Sequence, residues 1–430
     1  MKKVMLLLGL VSGMRAHDEA AELVRLASQK QIVAQYQEAE TLYQQAIEIW
    51  EQGARPTADW ALSLGNLGSL YRMRAEFAKA QAYYRQGLAM IEDVLPADDV
   101  RRARLLLGLG RVHLTAGGLR QARDAIEQAF RMSADSPKDL ASAAEAMGSV
   151  LQAEGNYGDA EGWYRRALAL RESTLGPHHP ETAEVRANLG VVLRIRGDLA
   201  GAEEQYRIAL GDFRAFRGEE HPLVGALINN LGQIQQERGE WKKAIKSYQA
   251  AVAVWRRALG PENPYVASGL VNLSFIYQGR KQYGRAEALL NEALAIERKH
   301  YLPGHPRIAM TLNNLASLAV AQRRYSAAEQ LLAQSLEFLC AALPPDHPDI
   351  GLVSANLGEV YRVMKDHERA ASFYSKGLQI LEAAWGADDP RLVPKLERYS
   401  ALLREMEEYA EAEAVQVKAT RIRVRQALRF

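Results

Sequence analysis

Cys340 is the only cysteine in the 430 residues. An intrachain disulfide, a Cys-x-x-Cys redox pair and a cysteine-built zinc site are therefore all excluded. Cys340 sits in the apolar stretch 336–343 and reads as an inert core thiol. Excess charge is missing too. The 54 Lys and Arg against 52 Asp and Glu leave a net charge of +2, which offers nucleic acid no broad attraction. The apolar run at residues 4–11 is too short to span a bilayer. There is no His-Glu-x-x-His, P-loop or Gly-x-Ser-x-Gly signature. Gly108-Leu109-Gly110 falls within a helical pattern and lacks the third glycine of a dinucleotide site. No enzyme, cofactor, metal or nucleic-acid partner is expected.

What the chain does have is a period. Ala39, Ala80, Ala122, Ala160, Ala202, Ala244, Ala286, Ala328, Ala370 and Ala412 are separated by 41, 42 and 38 residues and then by six intervals of 42. A repeat of this length is one supersecondary unit that buries its apolar face only by stacking on copies of itself. The expected organisation is an all-α solenoid over residues 17–430, a right-handed superhelix of about ten helix-turn-helix repeats.

Each unit reads as two helices. His179, His221, Asn263, His305, His347 and Asp389 stand at the N-cap, followed by Pro180, Pro222, Pro264, Pro306, Pro348 and Pro390 at the first helical position, where a missing N–H costs nothing. The first helix ends in turns such as Arg196-Gly197-Asp198, where glycine can enter the left-handed region. The second helix carries the recurring alanine. Eight of the ten copies have Ala or Gly seven residues later and an apolar or aromatic side chain between, as in Ala202-Tyr206-Ala209. Small residues let two backbones approach while the ring fills the gap beside them.

These features resemble tetratricopeptide repeats, specifically the 42-residue variety of the kinesin light chain type. A small residue recurs in the first helix at Gly68, Gly110, Gly148, Gly190, Gly232, Ser274, Ala316, Gly358 and Ser400. The Leu-Gly pair with its downstream tyrosine is complete in Asn66-Leu67-Gly68 to Tyr71 and in Asn356-Leu357-Gly358 to Tyr361. The likeness extends over nearly the whole chain. It departs in a poorly marked first helix near 18–32, a shortened exit at 133–138, and Arg398-Tyr399-Ser400 in the last copy.

Six first helices carry asparagine two positions before the small residue, at Asn66, Asn188, Asn230, Asn272, Asn314 and Asn356, with Asn229 and Asn313 beside two of them. Asparagine is a mediocre helix former. Two positions turn a helix by about 200°, which directs these amides away from the second helix. Side-chain amides both donate and accept, so they can grip the backbone of an extended peptide of any sequence. Alternatively each amide bonds a neighbouring repeat and only stiffens the array. The resemblance favours ligand contact, because in this family the groove lined by first helices binds extended segments of partner proteins, and the kinesin light chain group uses recurring asparagines there. Neighbouring positions, among them Arg194 and Gln233, would set specificity. They include no lysine cluster beside the asparagines, so the reading is an internal segment of the partner, biased toward acidic residues near Arg194.

Four histidines, His179, His221, His305 and His347, fall once per repeat, too far apart along a solenoid to share a metal. The carboxylates Glu203 and Glu204 read as a solvated helix face. Lys2 and Lys3 before the apolar run have the layout of a short secretory signal cleaved after Ala16, although Met14 and Arg15 fit it poorly. This predicts a secreted or periplasmic protein, and a cytoplasmic one if the segment is instead the first turn of a helix. The basic run Lys418, Arg421, Arg423, Arg425 and Arg429 suits a helix end. The function expected is a protein-interaction scaffold or adaptor binding a peptide segment; the rival is an assembly subunit whose groove holds its own terminus or a second copy. The register carries a direct test: Ala244→Leu overpacks the helix joint and lowers stability by about 1–3 kcal/mol, whereas an unchanged thermal midpoint refutes the close approach.

Overall fold

Proline and its preceding cap decide where the first helices begin. In the computed structural model, which describes residues 18–31, 35–52, 56–92 and 94–427, Pro180, Pro222, Pro264, Pro306 and Pro348 each open a helix. The residue before each turns its side chain back onto the backbone N–H two positions on: His179 Nδ1 accepts from Glu181 at 3.2 Å, Asn263 Oδ1 from Tyr265 at 3.0 Å, and His305 Nδ1 from Arg307 at 3.1 Å. Asp389 does the same for a 3-10 turn, Pro390–Leu392, that leads into the last first helix. The leader expected over residues 1–16 and Arg429 lie outside the described residues.

Among those residues every helix and turn falls into ten pairs. The first five are α1 (18–31) with α2 (Tyr36–Gln52), α3 (Ala58–Met73) with α4 (Phe77–Met90), α5 (Val100–Thr115) with α6 (Leu119–Met132), α7 (Pro137–Ala153) with α8 (Tyr157–Leu175), and α9 (Pro180–Ile195) with α10 (Leu199–Arg217). The next five are α11 (Pro222–Glu237) with α12 (Trp241–Leu259), α13 (Pro264–Gly279) with α14 (Tyr283–His300), α15 (Pro306–Ala321) with α16 (Tyr325–Ala342), α17 (Pro348–Val363) with α18 (His367–Trp385), and α19 (Val393–Glu405) with α20 (Tyr409–Ala427). The poorly marked first helix of the opening repeat is thus formed.

The chain divides into two compact units, residues 1–150 with 162–177, and residues 151–161 with 178–430. In the first, Ala39, Ala80 and Ala122 are wholly buried, Ala20 and Ala46 pack with Trp50, and a methyl group on Gly68 would stand 2.9 Å from the Tyr84 ring. In the second, Ala160, Ala202, Ala244, Ala286, Ala328, Ala370 and Ala412 are wholly buried. A methyl on Gly190 would meet Tyr206 at 2.5 Å, on Gly232 Tyr248 at 2.8 Å, and on Gly358 Tyr374 at 2.8 Å. The core here runs from one repeat into the next. Ala244, Tyr248 and Trp255 of α12 share a cluster with Val266 and Leu270 of α13 and Ala293 and Ile296 of α14.

Cys340 corrects the sequence reading, because it is exposed. On α16 the buried stripe is Ala328, Leu332, Ser335 and Leu339; one further residue turns Cys340 by about 100°, off that stripe. An apolar stretch thus concealed an amphipathic helix.

The histidine caps make folding pH-sensitive. Nδ1 can accept a hydrogen bond only when it carries no proton. Burial depresses the His305 imidazole to about 4, helped by the Arg307 charge, and burial lowers His221 as well. A depressed imidazole contributes stability that is complete above its unfolded value near 6.5 and is lost as pH falls toward 4. Glu297 has the opposite sign, since burial raises its carboxyl to about 7 and its contribution is lost as pH rises from about 4.5 to 7. The His305 part is isolated by comparison with His305→Asn, the residue used at the same place by Asn263. Unfolding free energy measured from pH 7 to pH 4 falls less in His305→Asn than in the wild type, by up to about 3 kcal/mol; parallel curves would show that the imidazole is no cap.

Candidate functional site

The first helices meet one another through polar side chains, and the meeting follows a rule of its own. Asn272 donates to Asn229 at 2.8 Å and Asn356 donates to Asn313 at 2.7 Å, in both cases across 43 residues. Arg194 pairs with Glu237 and Arg362 with Glu405 over the same separation. In the first unit Arg72 reaches Thr115, also 43 residues on, at 3.4 Å. These bonds between neighbouring first helices span one residue more than the repeat, while others span 39, as from Gln278 to Ser317 and from Lys395 to Asn356, so a residue bonds not its equivalent in the next copy but one beside it or about a turn away.

This separates the asparagines into two groups. Asn229, Asn272, Asn313 and Asn356 spend their amides on one another. Asn230, Asn314 and Gln233 are partly buried and form no side-chain hydrogen bond among the described residues, and Asn66 in the first unit is in the same condition. Asn188 is partly buried. The second unit exposes Phe275 of α13, and Gln236 of α11 accepts from the Tyr248 hydroxyl at 2.9 Å.

A second ladder joins five of the second helices to the end of the next first helix. Its carboxylates are those directly after the recurring alanine. Arg238 bonds Glu203 at 2.5 Å, Arg324 bonds Glu287 at 2.9 Å and the Tyr361 hydroxyl bonds Glu329 at 2.8 Å; Arg196 pairs with Glu161, and in the first unit Arg74 bonds Glu40 at 2.5 Å. Glu203 is therefore not a solvated carboxylate. Bonds from Arg238 and then Arg207 hold its carboxyl below the usual range. Its neighbour Glu204 is exposed as expected. The signal was legible as an Ala-Glu pair recurring with an arginine or other donor some 32 to 37 residues later.

In the last two repeats the same face becomes ionic. Arg362 bonds both oxygens of Glu359 at 3.1 Å and also pairs with Glu405, which Lys365 reaches at 3.2 Å. Burial alone would raise the Glu359 carboxyl; the bonds from Arg362 and from the Tyr374 hydroxyl outweigh it and hold it low. Lys395, which sequence reasoning missed, donates to Asn356 Oδ1. It lies three residues before Arg398, the last repeat's substitute for the recurring asparagine, and so one helical turn out of that register. The basic run of α20 is spent on local acids: Lys418 on Glu382, Arg421 and Arg425 on Asp388, Arg423 on Glu397. No helix among the described residues is long and apolar enough to cross a membrane.

The tetratricopeptide repeat profile matches residues 18–93, 139–215, 223–299 and 265–341, more than half of the chain. The chain belongs to the tetratricopeptide repeat family. The comparison with curated proteins found no match. Among solved structures, a Rap protein complexed with competence and sporulation factor is similar at 14% identity over 87% of this chain and all of that one, with a TM-score of 0.59, which bears on fold alone. BtubC (BKLC) of P. vanneervenii is 25% identical over 52% of this chain and 90% of its own, with a TM-score of 0.42. A kinesin light chain-type repeat protein of Podospora anserina is 22% identical over 48% and 96%, with a TM-score of 0.39.

The paired amides of this tetratricopeptide array can be weighed directly. In a double-mutant cycle Asn229→Ala and Asn272→Ala should show a coupling of about 0.5–1.5 kcal/mol in unfolding free energy, and strict additivity would mean that the bond carries no stability.

Proposed function

We propose that the first-helix face of repeats six to eight binds an extended segment of a partner protein, making this tetratricopeptide chain an interaction scaffold or adaptor without catalytic activity. The observation that carries the reading is the division among the amides: Asn229–Asn272 and Asn313–Asn356 lock neighbouring repeats together, while Asn230, Gln233 and Asn314 beside them have no partner in the described residues. A partly buried amide left unbonded loses interaction energy that a peptide backbone can restore. The paired amides hold the free ones at a fixed spacing, so little ordering is required when a segment binds.

Charge refines the expected ligand. Because Arg194 is neutralised by Glu237, the bias toward acidic residues expected there gives way to an uncharged segment, with an apolar side chain over the exposed ring of Phe275. Contact through amides and one aromatic surface predicts binding that responds weakly to salt.

A pull-down from source extract separates ligand contact from simple stiffening. The triple variant Asn230→Ala/Gln233→Ala/Asn314→Ala should melt with the wild type and lose a partner that the wild type retains. Asn272→Ala/Asn356→Ala should melt lower. Equal retention by the triple variant, with unchanged melting, would remove the face from the interaction.

A further inference from the structure

Arg74, Arg196, Arg238 and Arg280 each cap the C-terminal end of a first helix. Three of them bond the carboxylate that follows the recurring alanine of the preceding repeat: Arg74 that of Glu40, Arg196 that of Glu161 and Arg238 that of Glu203. For Arg196 and Arg238 the acid is 35 residues back, and Gln322, which occupies the same place one repeat after Arg280, reaches Glu287 at the same separation. For Arg280 the residue at that separation is Ile245. The donor is kept and its acid is not. Arg280 is exposed and forms no side-chain hydrogen bond or ion pair among the described residues.

Further cations stand beside this open rung. At 100° per residue Lys242 and Lys246 lie about 60° and about 100° around α12 from Ile245, on the same side of it. Both are exposed and neither has a carboxylate partner among the described residues; Lys281, next to Arg280, is in the same condition. The acids nearby in sequence are already committed, Glu240 to Lys243 and Glu237 to Arg194. In the preceding repeat an acid stands between the cations: Glu203 takes Arg207 at 2.6 Å and Arg238 at 2.5 Å. Repeat six removes that acid and adds lysines, and like charges one helical turn apart repel. Net charge does not explain the gathering, since the whole chain carries only +2.

We infer that Arg280, Lys242 and Lys246 form an anion site at the broken rung between repeats six and seven, and that the anion is a phosphomonoester on a side chain of a partner protein. A lone carboxylate carries one charge, and at Glu203 it is satisfied by two arginines. A phosphomonoester brings nearly two charges at neutral pH and three acceptor oxygens. Two oxygens match the planar guanidinium fork, and the third is left for an ammonium. Ile245 cannot compete for these donors, so they remain available to a ligand. A protein source follows from the family, whose arrays serve as protein-interaction scaffolds. The site is built from α12 and the turn after α13 and does not rest on the extended-segment reading.

The test is nitrogen-15 NMR of the full-length protein, observing the Arg280 side-chain Nε–H signal, identified by its loss in Arg280→Leu. The probes, all at one ionic strength, are N-acetylphosphoserine amide, N-acetylaspartate α-amide and inorganic phosphate, with phosphatidylserine vesicles in a parallel co-sedimentation. The phosphoserine derivative should shift the signal saturably, bind at least tenfold more tightly than the aspartate derivative, and bind no more weakly than inorganic phosphate. Lys242→Ala/Lys246→Ala, both exposed, should melt with the wild type and weaken the phosphoserine derivative by about tenfold. Ile245→Glu restores the rung and should weaken it as much, with the Arg280 signal moving toward that of Arg238. The absence of saturation overturns the site. Aspartate binding as tight as phosphoserine overturns the ligand class, and tighter inorganic phosphate overturns the protein source. Full affinity in the lysine variant overturns the lysines' role. Vesicle binding that the lysine variant loses, without saturation by phosphoserine, assigns the patch to a membrane surface instead. Asn230→Ala/Gln233→Ala/Asn314→Ala should keep the phosphoserine response, so failure of either reading leaves the other standing.

Discussion

A bare Cα facing a tyrosine ring sets the spacing of the paired helices. Where Gly190, Gly232 and Gly358 stand, a methyl group would come within 2.5 to 2.8 Å of Tyr206, Tyr248 and Tyr374, so the first helix can settle onto the second only because there is no side chain there. The recurring alanine lies one turn before the tyrosine and is wholly buried in all ten copies. Where glycine is replaced the array changes chemistry but keeps the distance. Ser400 turns its hydroxyl onto the Ala412 carbonyl at 2.8 Å, and Ser335, standing where other copies have Ala or Gly, bonds the Ala309 carbonyl at 2.7 Å. Ser400 and Ser335 are tolerated because each hydroxyl finds a carbonyl of the partner helix.

Stacking depends on a different set of contacts, and their offset explains why they were hard to foresee. Within a repeat, the same two positions meet in copy after copy, as Gly190 with Tyr206 and Gly232 with Tyr248, and the 42-residue period displays them. Between first helices the bonds span 43 or 39 residues, and the carboxylates that follow five of the alanines reach donors 32 to 37 residues on. A pattern search in one register sees neither, since each bond joins two columns of the repeat. This is why Glu203 read as a solvated carboxylate, why Asn229 and Asn313 read as copies of their neighbours when they are the partners of Asn272 and Asn356, and why Lys395 was passed over. The alanines, the prolines and the capping histidines were legible because each acts within its own repeat. Cys340 failed for a simpler reason: in a helix two residues past Phe338, hydropathy alone does not tell which side faces out, and the position of the buried stripe does.

The turns within repeats show how much local strain the stacking tolerates. Gly117, Gly155, Gly197 and Gly239 take the left-handed conformation there, as glycine readily can, but Ala75, Lys281, Arg323, Lys365 and Glu407 take it too, with φ between 59° and 66°. A side chain in that region costs about 1–2 kcal/mol. The conformation persists because it lets the turn satisfy the helix end. Arg323 N–H bonds the Val320 carbonyl at 2.9 Å and Arg324 N–H the Ala319 carbonyl at 2.8 Å, groups that would otherwise lie orphaned beside the buried joint.

An array that pairs many of its charged and amide groups by offset makes the exceptions among them informative. Arginines pair across repeats, the basic run of α20 is matched by Glu382, Asp388 and Glu397, and amides pair with amides. In such a structure an unpaired group does not reflect a shortage of partners nearby, since a glutamate or an asparagine one register away would supply one. Asn230, Gln233 and Asn314 are left open on first helices in the middle of the second unit, and Arg280, Lys242 and Lys246 beside the rung whose acid is replaced by Ile245. Natural sequences depart from internal consistency chiefly where function requires it. The two departures differ in chemistry, neutral amides in one and uncompensated cations in the other.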